Sequence, residues 1–254
     1  DTVMYSGNQA SYSLILSATS TAIVDRRAGG NGTDQLVDIE LLDFDTGISE
    51  GAFDLQQFAG AASLSEEQFE SFIELYIAYF NRAPDAVGLN FWGTAFANGT
   101  TLEKIATLFI DQDEIRATYP ASQSNADFVT AVYNNVLGRI PDQAGFDFWV
   151  GVLDAGARGQ DQFILSVLQS VQEGSPDREY LDSKIDVGAY FAVHKGMSDV
   201  SNASASMALF DGTQAGIDTA VSAIDDFYAD ALDPSNGEFL MQVLGVLDDP
   251  FAVL

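Results

Sequence analysis

The chain of 254 residues contains no cysteine. Disulfides, thiolate metal sites and cysteine nucleophiles are therefore excluded. Its one histidine, His194, rules out metal centres built from several imidazoles, HExxH among them. A Ser-His-Asp triad would have to use His194, which stands in a helix stop signal where capping or solvation accounts for it. Positive charge is scarce: 10 Lys and Arg face 38 Asp and Glu, a net charge of −28, and no basic residue follows Lys195. Such a surface repels phosphate backbones, so no nucleic-acid partner is expected. No apolar run approaches the roughly 20 residues of a membrane-spanning helix, so no membrane span is expected. GxSxG, P-loop and dinucleotide-binding patterns are missing. The acidic helix end "DQDEI" (Asp111, Asp113, Glu114) lacks the Gly and terminal Glu of an EF-hand loop. The N-terminus, "DTVMYSG", has neither an initiator Met nor a basic leader region. It reads as a cut inside a longer polypeptide, whose upstream domains become expected partners.

Hydrophobic residues make up 47% of the chain, enough for a packed core. Acid in this excess attracts hard cations such as calcium, or serves to keep an exported protein soluble. To about Gln57 the pattern is β-like. "YSLILSATSTAIVD" is rich in β-branched and aromatic residues, "RRAGGNGTDQ" is a turn cluster, and "LVDIELLDFD" resumes an extended pattern. This predicts strand, hairpin, strand, then a loop through "TGISEGAFDLQQFAGAA". The period then becomes helical. Ser65 and Gln68 form a capping box, with Leu64 placed to staple onto Phe69. Phe69, Phe72, Ile73, Tyr76, Ile77 and Phe80 form one apolar stripe. Pro84 fits a first helical position with Asp85 beside it, and Thr100 with Glu103 suggests a third helix carrying Ile105 and Phe109. Further on, Pro176 after Ser175 opens a long helix that His194, Lys195 and Gly196 close. Helices are predicted at about 201–210, 213–232 and 236–247.

The chain writes one phrase twice. "RAPDAVGLNFW" begins at Arg82 and "RIPDQAGFDFW" at Arg139, 57 positions apart. Arg82, Pro84, Asp85, Gly88 and Trp92 match Arg139, Pro141, Asp142, Gly145 and Trp149. The flanking helices repeat as well: Leu89, Trp92 and Phe96 match Phe146, Trp149 and Leu153, and Ile105 matches Ile164. Trp and Phe at helical spacing predict core, the glycines predict close approach of another element, and each Arg is placed to bridge the Asp three residues on or to bond helix-end carbonyls. On this reading the motif is a helix-turn-helix joint used twice. The alternative is an Arg–Asp corner that binds a sugar or another chain.

The strings "YFNRAPDAVGLNFW" and "VLGRIPDQAGFDFW", followed by "YLDSKIDVGAYFAVHKG", resemble the signature of the domain-of-unknown-function 4214 family, over residues 65–200. The resemblance implies an all-helical domain found in large exported bacterial proteins, surface-layer and repeats-in-toxin proteins included, and carries no catalytic residues across. A more distant likeness is to phycobilisome linker domains. "GGNGTDQLV", Gly29 to Val37, is similar to the repeats-in-toxin nonapeptide, in which Gly-rich turns and Asp carboxylates hold calcium between stacked coils of a β-roll. That likeness makes Asp34 a candidate calcium ligand, with Asp43 and Asp45 of "DFDTG" a second candidate pair. Turn chemistry explains the same residues without an ion. The end, "GVLDDPFAVL", is similar to uncleaved type I secretion signals.

The expected fold is therefore mainly α: an N-terminal β-rich segment, 1–58, followed by a helical domain, 59–254. The latter carries duplicated units at 65–119 and 124–174 and C-terminal helices over 175–254. The expected role is a non-catalytic, calcium-responsive C-terminal module of a secreted or cell-surface bacterial protein, acting in adhesion, attachment or assembly on a surface glycan or protein. Two alternatives stay open: part of an extracellular polysaccharide-acting enzyme using Asp/Glu, and a structural linker in a repeating assembly.

Overall fold

The computed structural model describes residues 1–47, 51–120 and 122–252. Residues 48–50 of the expected loop, and Val253 and Leu254 of the secretion-signal-like tail, lie outside the described residues. The protein is mainly α with an N-terminal β-rich part. Six strands come first: β1 (Thr2–Asn8), β2 (Tyr12–Ser17), β3 (Thr21–Asp25), β4 (Thr33–Leu36), β5 (Leu41–Thr46) and β6 (Phe53–Asp54). Ten α-helices follow: α1 (Glu66–Phe80), α2 (Ala86–Ala97), α3 (Leu102–Ile110), α4 (Asp113–Thr118), α5 (Asn125–Leu137), α6 (Gln143–Asp154), α7 (Gln160–Ser170), α8 (Pro176–Ala189), α9 (Val200–Ala208) and α10 (Gln214–Ala231). A last strand, β7 (Leu240–Leu244), closes the described chain.

The strands form two sheets, ordered β1-β5-β6 and β4-β3-β2-β7. The repeats-in-toxin-like string is the turn and outer strand of the antiparallel β3–β4 hairpin, with Gly29 and Gly32 at positive φ. β7 corrects the helix predicted over 236–247. It runs parallel to β2, with Ser13 opposite Leu240 and Ser17 opposite Leu244. A short apolar run such as "FLMQVL" has no distinguishing period. What decides it is the free edge of β2, whose Leu14 and Leu16 are fully buried. Gly196 helps as well: it accepts from Met241 N–H at 2.8 Å, and its missing Cβ leaves room for the β7 backbone.

Arg26 ties this sheet to the helical part. Its guanidinium donates to the carbonyls of Ala10, Tyr12, Ala231, Leu232 and Glu238 and to Ser13 Oγ, at 2.5–3.3 Å. One hydrophobic cluster runs through the strands, the repeat helices and the C-terminal helices.

Most helix boundaries follow their caps. The Ser65 box forms in both directions, and Pro176 occupies the first turn of α8. Three details depart from expectation. Pro84 and Pro141 sit before the caps, because Asp85 and Asp142 themselves cap α2 and α6. Thr101, not Thr100, caps α3. The helix expected to run on to His194 widens after Ala189 into a π-turn, Tyr190–His194, where Lys195 N–H reaches back to Tyr190 at 3.0 Å. The acidic "DQDEI" end spans the close of α3 and the first turn of α4.

The two copies lie side by side, α1 against α5 and α3 against α7. Trp92 and Trp149 are half-buried rather than enclosed. Each sets its ring edge-to-face on a fully buried phenylalanine, Phe109 at 5.4 Å and Phe163 at 5.0 Å. Phe109 comes from the last turn of α3 and Phe163 from the first turn of α7. The equivalent tryptophans are thus seated by non-equivalent residues.

Candidate functional site

The duplicated phrase builds the same joint twice. The first helix of each copy ends in a left-handed residue, Asn81 (φ 50°) and Gly138 (φ 64°), which turns the chain so that the next Arg points back across the joint. Asp85 and Asp142 then accept from the backbone N–H of Gly88 (2.6 Å) and Gly145 (2.8 Å). A Cβ on Gly88 would strike the Tyr76 hydroxyl and the Asp85 carboxylate, which is why glycine stands there. Each Arg makes a two-pronged bond to a carboxylate far along the chain. Arg82 Nε and Nη2 reach Glu114 at 2.7 and 3.1 Å. Arg139 Nε and Nη2 reach Asp177 at 2.8 and 2.6 Å. Glu114 and Asp177 hold the same place, second in the helix that follows the third helix of each copy. The remaining Nη1 bonds the carbonyl of the next residue in both copies. The expected bridge to the Asp three residues on is present at Arg82–Asp85, 3.3 Å. In the second copy the Asp142 carboxylate caps Gly145. Bonding to Arg139 holds the Asp177 carboxyl below its usual range.

The copies differ in burial. The Arg82 side chain is 4% exposed and stacks over Phe80 and Tyr76, whereas Arg139 is 45% exposed over Tyr133.

A second feature is a carboxylate-lined trough between α1 and α8. Glu66, Glu70 and Glu74 share one face of α1 at four-residue spacing, and Arg178, Asp182 and Asp186 share one face of α8. A cleft of about 490 Å³ is lined by Glu67, Glu70, Glu74, Glu173, Arg178 and Asp182, and a smaller one beside it by Glu66, Glu70, Asp186 and Asp248. Arg178 bridges the walls, to Glu74 at 2.7 Å and Asp182 at 2.6 Å. Burial pushes up the carboxyl of Glu70, with Glu66 adding to it, and that of Glu74 despite Arg178. Burial with the charge of Asp182 raises Asp186 to about 6. Nearby, Lys184 is buried without a carboxylate partner. It bonds Asn81 Oδ1 and the Asn135 carbonyl, so it pins the ends of α1 and α5 together, and burial lowers it to about 8.

The trough has a pH consequence. Carboxyls raised by folding contribute stability that is complete below their unfolded values near 4 and is lost as pH rises through their folded values. His194, which burial lowers, runs the other way in this window, so a His194→Gln variant is expected to melt at a higher temperature at pH 5.5 than at pH 7.5. A flat or opposite trend between those two values would refute the origin in Glu70, Glu74 and Asp186.

The candidate calcium residues do not meet at one point. Asp34 accepts from the Tyr5 hydroxyl at 3.2 Å. Asp45 accepts from Gly7 N–H at 2.6 Å and lines a shallow cleft with Asp43. A calcium shell takes six to eight oxygens, and Asp43 with Asp45 supply part of one. Among the described residues, no three His, Asp or Glu side chains are grouped so as to hold a metal ion. No described helix is long and apolar enough to cross a membrane.

Residues 106–173 match a family model described as a domain of unknown function, DUF4214. The DUF4214 match opens in α3 and ends after α7. It contains the second copy of the motif and the last helix of the first, and it is shorter than the 65–200 span of the resemblance; Arg82 lies outside it. No curated protein and no solved structure matches the chain. Within the DUF4214 segment Arg139 is bonded outward, to Asp177 of α8, so the joint is completed by a residue beyond the matched span.

Sequence reasoning did not find Glu114, Asp177 or Arg26. The two acids carried a usable signal, a carboxylate in the first turn of a helix after each copy. For Arg26 the turn-like context concealed the role.

Proposed function

We propose that the protein is a non-catalytic attachment or assembly module of an exported bacterial protein, responsive to calcium and presented outside the cell or at its surface. The observation that carries this reading is the fate of the duplicated motif. At both joints the Arg is engaged in ion pairing and the Asp in capping, and in the first the glycine is closely packed as well, so the motif acts as scaffold. The surface it supports is dominated by carboxylate. The trough and the Asp43–Asp45 edge concentrate negative charge that a divalent cation would relieve. The partner class is a surface glycan or protein. Melting is expected to shift upward by several degrees in millimolar calcium, more than in equal magnesium, and to return with chelator. An unchanged melting temperature would remove calcium from the reading.

A second reading, a polysaccharide-acting enzyme, draws on the raised carboxyls of Glu70 and Glu74 in one cleft and of Asp186 in the smaller one, which Glu70 also lines. It requires that purified protein release reducing ends from an acidic or neutral polysaccharide and that Asp186→Asn abolish the release. Equal release by that variant, or none by the parent, refutes it.

A further inference from the structure

The two copies of the motif are equivalent in sequence and unequal in cover. In the first, the face of α2 made by Ala86, Leu89, Asn90, Gly93 and Thr94 is buried. The 3₁₀ turn at residues 59–63 lies on it: Ala61 N–H donates to Thr94 Oγ1 at 3.0 Å, and Ala61 fills the space over Gly93. The segment after the π-turn closes the corner, with Ala86 N–H on Met197 O and Val87 N–H on Ser198 Oγ.

Among the described residues no segment roofs the same face of α6 in this way. Leu153 alone is buried among the residues of that helix, which packs chiefly on α5. Ile140 is 68% exposed where its counterpart Ala83 is fully covered, and Phe148 is 60% exposed where Phe91, 38% exposed, has Phe58 beside it at 6.2 Å. Gly151 opens onto free space. The chemistry of the face has changed as well. Buried Asn90 has its counterpart in exposed Asp147, and Asp142 and Asp154 are also exposed. The result is an apolar surface interrupted by Asp147 and bordered at the two ends of the helix by Asp142 and Asp154.

We propose that this open face of α6, around Ile140, Phe148 and Gly151, docks a basic, apolar segment of a partner protein, in the place where the turn at 59–63 lies on α2. The first copy shows how a segment of chain covers this helix surface through small and apolar side chains. The aspartates select a segment that brings Lys or Arg to the edge. A second copy of this chain is a poor occupant, because at a net charge of −28 it would set one acidic rim against another. The inference rests on reading the protein as an attachment or assembly module and names the partner chemistry of that role.

The test uses the full chain and a synthetic helical peptide of leucine and lysine, with a leucine–glutamate peptide as its opposite, titrated by calorimetry at about 0.15 M salt. The lysine peptide is expected to bind the parent and a Val200→Ser/Leu209→Ser control, whose exposed apolar residues lie elsewhere. It should bind at least tenfold more weakly to Ile140→Ser/Phe148→Ser and several-fold more weakly to Asp147→Asn, with melting temperatures unchanged. No binding to the parent, equal binding to the double variant, or equal binding of the glutamate peptide would overturn the proposal. So would a dimer in sedimentation that the double variant abolishes. A failed calcium response leaves this outcome untouched, and failed peptide binding leaves the calcium response standing, so the two readings fall separately.

Discussion

Arg82→Met is expected to lower the unfolding free energy by ~3 kcal/mol, while Arg139→Met, in the same sequence frame, is expected to cost less than about 1 kcal/mol. Both arginines make the same two-pronged bond to an acid at the same helical position. The difference is water. The Arg82 guanidinium is enclosed, stacked on Phe80 and Tyr76, and also bonded to the Ala83 carbonyl and Asp85. Removing it leaves the Ala83 carbonyl and the part-buried Asp85 short of a donor and empties the space over Phe80 and Tyr76, although Glu114, 41% exposed, can turn to water. The Arg139 guanidinium is itself 45% exposed, so solvent screens its attraction to Asp177 beforehand and little packing is lost with it. Urea midpoints of the two variants measure the contrast directly. Equal losses would mean that the joint, not its burial, sets the value of the bond.

Arg26→Met is expected to cost a further large amount, ~3 kcal/mol or about 6–12 °C in melting temperature for a chain of this size. Five backbone carbonyls from three separate regions converge on one guanidinium: residues 10–12, residues 231–232 and residue 238. A methionine fills the volume and takes a donor from each of these carbonyls, of which Ala231 keeps the Glu238 N–H. Arg26→Lys restores three donors on a point charge and should recover only part of the loss, because the planar fork matches carbonyls that an ammonium cannot reach together. Since the clasp joins the β-rich part to α10 and β7, calorimetry of Arg26→Met should also show the transition broadening. A variant as stable as the parent would mean that these carbonyls are equally well served by water.

The helical half was largely legible because its signals are local. Ser65 and Ser175 begin helices through bonds to the residue three on, and the apolar stripe of α1 repeats at the helical period. The phrase at Arg82 and Arg139 announced a duplication, and both copies fold alike. The candidate metal residues illustrate the opposite case. Asp34, Asp43 and Asp45 were chosen by local pattern, and their partners in the fold, Tyr5 and Gly7, belong to β1, which no turn motif identifies. The misread end of the chain has the same cause. "FLMQVL" is neutral between helix and strand until β2, more than 220 residues earlier, offers it an edge.

What the sequence determined by itself is most of the helices, several of their caps, the doubled joint and the sign of the surface, because each depends on neighbours within a turn or on composition alone. Only the tertiary structure decided which arginine is buried, which acids face each other across α1 and α8, and which copy of the repeated helix is left uncovered. Those outcomes depend on which distant segments come to lie on otherwise identical local structures, and burial is a property of the assembled molecule that no short stretch of chain contains.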